Sequence, residues 1–130
     1  MTKDMIATDS APLPVGPYAQ AIRAHGWLYV SGQIPLDPET GDLVDGSFEK
    51  QVRRTLDNIT AILEAGGSNR DLVVKTTVYL TDMTLFSQFN EIYTEYFNAS
   101  RPARVCVAVK ELPKAAPLEI DAVALCNTVT

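Results

Sequence analysis

The chain has 130 residues, 46% of them hydrophobic and 21% charged, with a formal net charge of −5. Those proportions fit a single globular domain spanning residues 1–130 and exclude a disordered chain. Its 11 Lys and Arg residues are scattered, which leaves no surface for neutralising phosphates, so no nucleic-acid partner is expected. The opening Met1-Thr2-Lys3-Asp4-Met5 lacks the apolar core of a signal peptide, and no apolar run reaches the about 18 residues of a membrane helix. A cytoplasmic location without membrane contact is therefore expected.

In chain order, Ala19 to Ala24 and Trp27 to Ser31 read as two strands joined by a tight turn at His25-Gly26. Pro35, Pro38 and Gly41 mark a long loop. Ser47 fits an N-cap, and the steps of three and four between Phe48, Val52, Leu56, Ile59 and Leu63 predict a helix that Gly66-Gly67 ends. Val73 to Leu80, rich in Val, Thr and Tyr, predicts a strand. Leu85, Phe89, Ile92, Tyr93 and Tyr96 then outline a second amphipathic helix, closed by Arg101-Pro102. From Arg104 to Lys110 the pattern alternates, with Val105, Val107 and Val109 on one face and Arg104, Cys106 and Ala108 on the other. Leu118 to Leu125 is the last strand. This order predicts an α+β fold, a single mixed sheet with two helices on one face.

Two helices cover one face of such a sheet, yet Trp27-Leu28-Tyr29-Val30 and the run from Ile120 to Leu125 are apolar on both. Strands of that kind expect both faces buried. The chain holds no further element to serve as cover, so a second copy is the expected partner.

Residues capable of chemistry are few. Glycine-rich phosphate loops, His-Glu-x-x-His and Gly-x-Ser-x-Gly are absent. The cysteines, Cys106 and Cys126, lack Cys-x-x-Cys spacing, and with one histidine in the chain no metal site is expected. Arg104 is the leading candidate. Opposite three valines, at a face that subunit contact would desolvate, its guanidinium needs an anion, and its planar fork suits a carboxylate. A structural ion pair with Glu119 or Asp121 is the alternative. Glu119, an acid at the start of an apolar strand, either holds water as a base or marks the strand's exposed end. Tyr18, after Gly16-Pro17, is a turn residue or a pocket wall. Ser31-Gly32-Gln33 either offers backbone amides to a ligand or forms a bulge.

Taken together, Gly16-Pro17-Tyr18, Ser31-Gly32-Gln33-Ile34-Pro35, Val74-Lys75-Thr76-Thr77-Val78, Asn90, Arg101-Pro102-Ala103-Arg104 with Cys106, and Leu112-Pro113 followed by Glu119-Ile120 resemble the RidA (YjgF) family of reactive-intermediate deaminases. The resemblance extends over nearly the whole chain. It implies a chorismate-mutase-like fold, a homotrimer with clefts between subunits, and hydrolysis of 2-imino or 2-enamino acids to 2-keto acids and ammonia. By position, Arg104 resembles the arginine that grips the substrate carboxylate and Glu119 the acid that places water. Tyr18, Ser31, Gly32, Asn90 and Cys106 fall where the family lines its pocket. Asp121 stands where close bacterial relatives often carry Glu.

The chemistry fits those residue types. An imino acid offers a carboxylate to Arg104 and an electrophilic C=N carbon that water attacks without a metal, so no cofactor is expected. The competing classes are a ligand-binding or chaperone-like module without turnover and an RNA-cleaving translation inhibitor. The acidic charge and the absence of a basic stripe weigh against the last.

Overall fold

The computed structural model describes residues 2–127. Six strands form one mixed sheet: β1 (Asp4–Ile6), β2 (Ala21–Ala24), β3 (Trp27–Gln33), β4 (Val73–Leu80), β5 (Ala103–Ala108) and β6 (Leu118–Leu125). Their spatial order is β1-β2-β3-β6-β4-β5, antiparallel except where β4 and β5 run parallel. Helix α1 (Phe48–Ala65) separates β3 from β4, and α2 (Phe86–Phe97) joins the parallel pair β4 and β5. A parallel pair needs such a crossover, because a hairpin cannot return a chain in the same direction.

Local chemistry sets the element ends. His25 and Gly26 both take positive φ, 54° and 81°, the backbone that suits a two-residue hairpin turn between right-twisted strands. Ser47 caps α1 by accepting the Lys50 N–H. The glycines closing that helix have different reasons. Gly67 sits at φ 82°, whereas a Cβ on Gly66 would lie 2.7 Å from both δ-carbons of Leu28. Helix α1 therefore packs against β3 as closely as a bare backbone allows.

Both helices lie on one face. Leu28, Val30, Val78, Leu80, Leu118, Ile120, Ala122 and Ala124 are buried in a common core with Val52, Leu56, Ile59, Ile62 and Leu63 of α1 and Phe89 and Ile92 of α2. Among the described residues, the other face carries no helix. On it Trp27, Tyr29, Val105, Val107 and Leu125 remain 38% to 49% exposed, an apolar surface of the kind monomers seldom leave uncovered. Among the described residues, no helix is long and apolar enough to cross a membrane.

Some expected boundaries move. The edge strand β1 is too short, at three residues, for alternation to reveal it. The first hairpin strand begins at Ala21 rather than Ala19, because Gln20 turns its side chain back onto the N-terminal segment. Strand β3 continues past Ser31 to Gln33 through an irregularity in its pairing with β6, and β5 stops at Ala108. In α2 the buried stripe ends on Phe97, while Tyr96 turns partly outward to donate to Asp57 at 2.8 Å.

Candidate functional site

Alternation along β6 decides where Glu119 points. Leu118, Ile120, Ala122 and Ala124 enter the helix-covered core, so Glu119 and Asp121 stand on the open face. There the Glu119 carboxyl lies directly over Gly32, and a Cβ at that position would overlap its Oε2. Gly32 thus makes room for the acid. Glu119 joins Tyr18, Ser31 and Gly32 around a cavity of about 350 Å³, whose remaining lining includes Leu13, Val15, Ile34, Leu36 and Pro113. Burial pushes the Glu119 carboxyl above the usual carboxylate range, and the negative charge of Asp121 raises it further. The carboxyl forms no ion pair among the described residues.

The cavity wall is held by backbone contacts. Tyr18 is 44% exposed, and its phenolic oxygen accepts the Val15 N–H at 3.2 Å. Ser31 donates its hydroxyl to the Ala19 carbonyl at 2.6 Å and its N–H to the Gln20 carbonyl. The Ser31 amide is therefore occupied rather than offered to a ligand. Gln20, which residue patterns did not single out, is 2% exposed and donates to the carbonyls of Thr8, Ala11 and Pro12 while accepting the Thr8 N–H. It fastens residues 8–12, and with them one side of the cavity, to the start of β2.

Arg104 occupies a second place. Its Cα pairs with Thr76 across β4, and Thr76 is buried under α2, where it shares a 2.7 Å hydrogen bond with the Tyr93 hydroxyl. Arg104 is consequently on the helix-bearing face, a correction to its expected location on the face that subunits would bury. The Val105-Val107 side of β5 is the open one, because α2 follows the continuous Thr76-Val78-Leu80 side of β4 and covers the same side of β5. The guanidinium is partly buried, 4.8 Å above the Tyr93 ring and 5.6 Å from that of Phe86, and Nη1 donates to Asn90 Oδ1 at 2.6 Å. It pairs with neither Glu119 nor Asp121; Asp121 instead accepts from Tyr79. Arg104 has no acidic partner among the described residues. Around it, Asn90, Tyr93, Thr94, Asn98 and Arg101 line a polar recess.

Cys106 is two residues along. Its side chain packs against the core, and burial raises its thiol above the ordinary range, so the sulfur is not a nucleophile in waiting. Its backbone is better placed. β5 is an edge strand, and Val109 N–H donates inward to Leu80. Alternation then directs the N–H groups of Arg104 and Cys106 to the unpaired edge. Among the described residues, no three His, Cys, Asp or Glu side chains gather as metal ligands. The seven candidates thus fall into two groups, Tyr18, Ser31, Gly32 and Glu119 on one hand, and Asn90, Arg104 and Cys106 on the other.

Comparison with known proteins agrees with this arrangement of elements. The sequence profile of the Endoribonuclease L-PSP family matches residues 8–126. A RutC family protein of Pyrococcus horikoshii is 52% identical, covering 94% of this chain and 97% of its own. A mouse protein named 2-iminobutanoate/2-iminopropanoate deaminase is 43% identical over 95% of this chain and 91% of its own. The crystal structure of Escherichia coli TdcF with bound serine superposes with a TM-score of 0.88 at 38% identity, covering 94% and 98% of the two chains. The chain belongs to the Endoribonuclease L-PSP family, the RidA (YjgF) group whose motifs it carries.

Proposed function

We propose that the protein hydrolyses 2-imino and 2-enamino acids to 2-keto acids and ammonia, without a cofactor, in clefts shared by adjacent copies of a homotrimer. The observation that carries this reading is Arg104, a partly buried guanidinium oriented by Asn90 and two aromatic rings and lacking an acidic partner among the described residues. Such a group awaits a planar anion. The mouse relative's name gives the activity of that protein, and serine bound to TdcF is a small amino acid on the same fold.

Geometry accounts for the shared cleft. Along β4, Thr76 sits beside Arg104 and Tyr79 beside Glu119. Three residues at about 3.3 Å make ~10 Å along the sheet, and two strand spacings of about 4.8 Å make ~10 Å across it. The side chains also leave opposite faces. A carboxylate and the adjacent imine carbon cannot reach both within one chain, whereas apposed copies supply one group each. The exposed apolar face provides the surface on which copies meet.

Within the cleft, the guanidinium of Arg104 and the edge N–H of Cys106 hold the substrate carboxylate. An enamine takes a proton at its β-carbon to become the iminium. Water then forms a bond to the iminium carbon while Glu119 accepts one of its protons, giving a carbinolamine. That proton returns to nitrogen, the C–N bond breaks, and the remaining hydroxyl proton leaves with ammonia as ammonium, which yields the keto acid. A base positioned this way contributes ~10²–10⁴ in rate. A carboxyl already raised by burial is closer to the neutral range at which such proton transfer works best.

The experiment generates 2-aminoacrylate or 2-iminobutanoate in situ with an amino-acid lyase or oxidase and follows keto-acid release. Acceleration proportional to added protein is expected. Release at the uncatalysed rate, with the protein folded and trimeric, refutes the deaminase reading.

A further inference from the structure

We infer that Thr76 is a positioning residue for the anion grip: through one buried hydrogen bond it fixes the Tyr93 ring, and the ring fixes the guanidinium of Arg104. The inference deepens the proposed function and rests on its carboxylate grip, not on any later step of the hydrolysis.

Where β4 passes beneath α2, its inward side is made by Thr76, Val78 and Leu80, each at most 1% exposed. Thr76 brings the one hydroxyl of that stripe. Burying a hydroxyl without a partner costs free energy that a valine of the same shape avoids. The partner here is the Tyr93 hydroxyl at 2.7 Å, and among the described residues neither oxygen has another. Tyr93 itself stands in an aromatic row on α2, with the rings of Phe89 and Phe97 centred 5.5 Å and 4.8 Å away. Phenylalanine would complete that row equally well. Packing therefore accounts for the ring but not for the two hydroxyls. The phenol is no proton carrier either, because burial pushes it above its ordinary range, and it stays neutral where imines are hydrolysed.

Strand register shows what the pair does. Thr76 is the β4 residue whose Cα pairs with Arg104 on β5, so the residue that holds the ring lies beside the one whose guanidinium crosses that ring at 4.8 Å. Thr76, Tyr93, Arg104 and the strand ladder close a loop. Three residues before Tyr93, on the same face of α2, Asn90 accepts from Nη1 at 2.6 Å. The amide fixes one edge of the guanidinium and the ring fixes its plane, which a bidentate hold on a carboxylate requires. Thr76 and Tyr93 are buried within one chain, and a neighbouring copy can add to that burial but not undo it.

The test measures binding of 2-oxobutanoate, a 2-keto carboxylate, by calorimetry to the assembled wild type, Thr76→Val, Thr76→Ser and the double variant Thr76→Val/Tyr93→Phe, alongside keto-acid release from 2-iminobutanoate. Valine keeps the shape and removes the hydroxyl; serine keeps the hydroxyl and removes a methyl. Thr76→Val is expected to weaken 2-oxobutanoate about fivefold, within the range of a cation–π contact. KM should rise by a similar factor with kcat within about twofold, because the grip acts alike on ground and transition states. Thr76→Ser should restore most of the affinity. A purely structural threonine gives the reverse order, with valine as good as the wild type and serine worse for the cavity it opens. The double variant guards against misfolding, since replacing both hydroxyls by apolar groups is nearly neutral for stability; it should fold like the wild type yet bind as weakly as Thr76→Val. Wild-type affinity in Thr76→Val or in the double variant, the reverse order of valine and serine, or a loss confined to kcat overturns the inference and leaves the carboxylate grip standing. A wild type that does not bind 2-oxobutanoate overturns the grip and this inference with it.

Discussion

Replacing Gly32 with alanine tests the placement of Glu119 without touching an ionisable group. Gly32 has no positive φ that would bar alanine, and exchanging a strand glycine for alanine gains ~0.5–1 kcal/mol of backbone entropy, so the fold should survive. The new methyl, however, would overlap Oε2 of Glu119 and come within 2.8 Å of its Cδ and 3.2 Å of its Cγ. Carbon atoms rest about 3.5–4.0 Å apart, so the whole carboxyl must swing aside rather than bend at its tip. Misplacing a catalytic group by about 1 Å costs ~10²-fold, and losing it altogether ~10²–10⁴-fold. A kcat decrease of about 10²-fold is therefore expected, with KM within about threefold because Arg104 still holds the carboxylate. The assay is keto-acid release from 2-iminobutanoate formed in situ, with urea unfolding as the control for stability. Combining Gly32→Ala with Glu119→Gln should cost little more than Glu119→Gln alone, since both remove one function. Near-normal turnover by Gly32→Ala, or losses that multiply in the double variant, would refute the proposed role of this contact.

Arg104→Ala should leave the trimer folded yet reduce kcat/KM by the ~2–5 kcal/mol of a desolvated charge pair, and Arg104→Lys should recover little because a point charge lacks the planar fork; full recovery by lysine would count against a bidentate grip. Because burial raises the Glu119 carboxyl, kcat should fall on the acid side at a pH above the ordinary carboxylate range as the base becomes protonated, and Glu119→Gln should abolish that limb of the profile. The same raised carboxyl means that the native state holds its proton more tightly than the unfolded chain, so its contribution to stability is greatest at low pH and is lost as pH rises through the native pKa. Glu119→Gln should thus raise Tm at neutral pH, measurable by calorimetry, and a lower Tm would contradict the sign. Gln20→Ala leaves the carbonyls of Thr8, Ala11 and Pro12 without their shared donor, which should cost ~1–3 kcal/mol in denaturant unfolding; an unchanged midpoint would mean that the N-terminal segment is held by other contacts.

How far these features could be read in advance depends on the length of each pattern. Helix α1 was legible because five apolar positions repeat at helical spacing between Ser47 and two glycines, and the structure keeps all these roles. The uncovered apolar face was legible too, since Trp27 and Tyr29 alternate with Leu28 and Val30 and one pair must face away from the helices. The side of β5 bearing Arg104 was not. Alternation separates Val105 and Val107 from Arg104 and Cys106 but does not say which set meets α2; that follows from the register with Thr76 and Val78, a long-range pairing. For the same reason the division of the candidates into two groups emerges only in three dimensions. Gln20 carries no sequence signal because its partners are main-chain N–H and C=O groups, which have no side-chain signature.

The central claim is that a working site takes Arg104 from one copy and Glu119 from its neighbour, and mixed assembly tests it most directly. Arg104→Ala and Glu119→Gln chains, each inactive alone, are co-expressed with different tags, and trimers carrying both are isolated. In a cyclic trimer carrying both chains, one of the three clefts receives an intact wall from each side, about one third. Activity near one third of the wild-type value in mixed trimers whose composition mass spectrometry verifies is the predicted result. Mixed trimers that remain inactive would place both residues' functions within one chain and contradict the shared cleft.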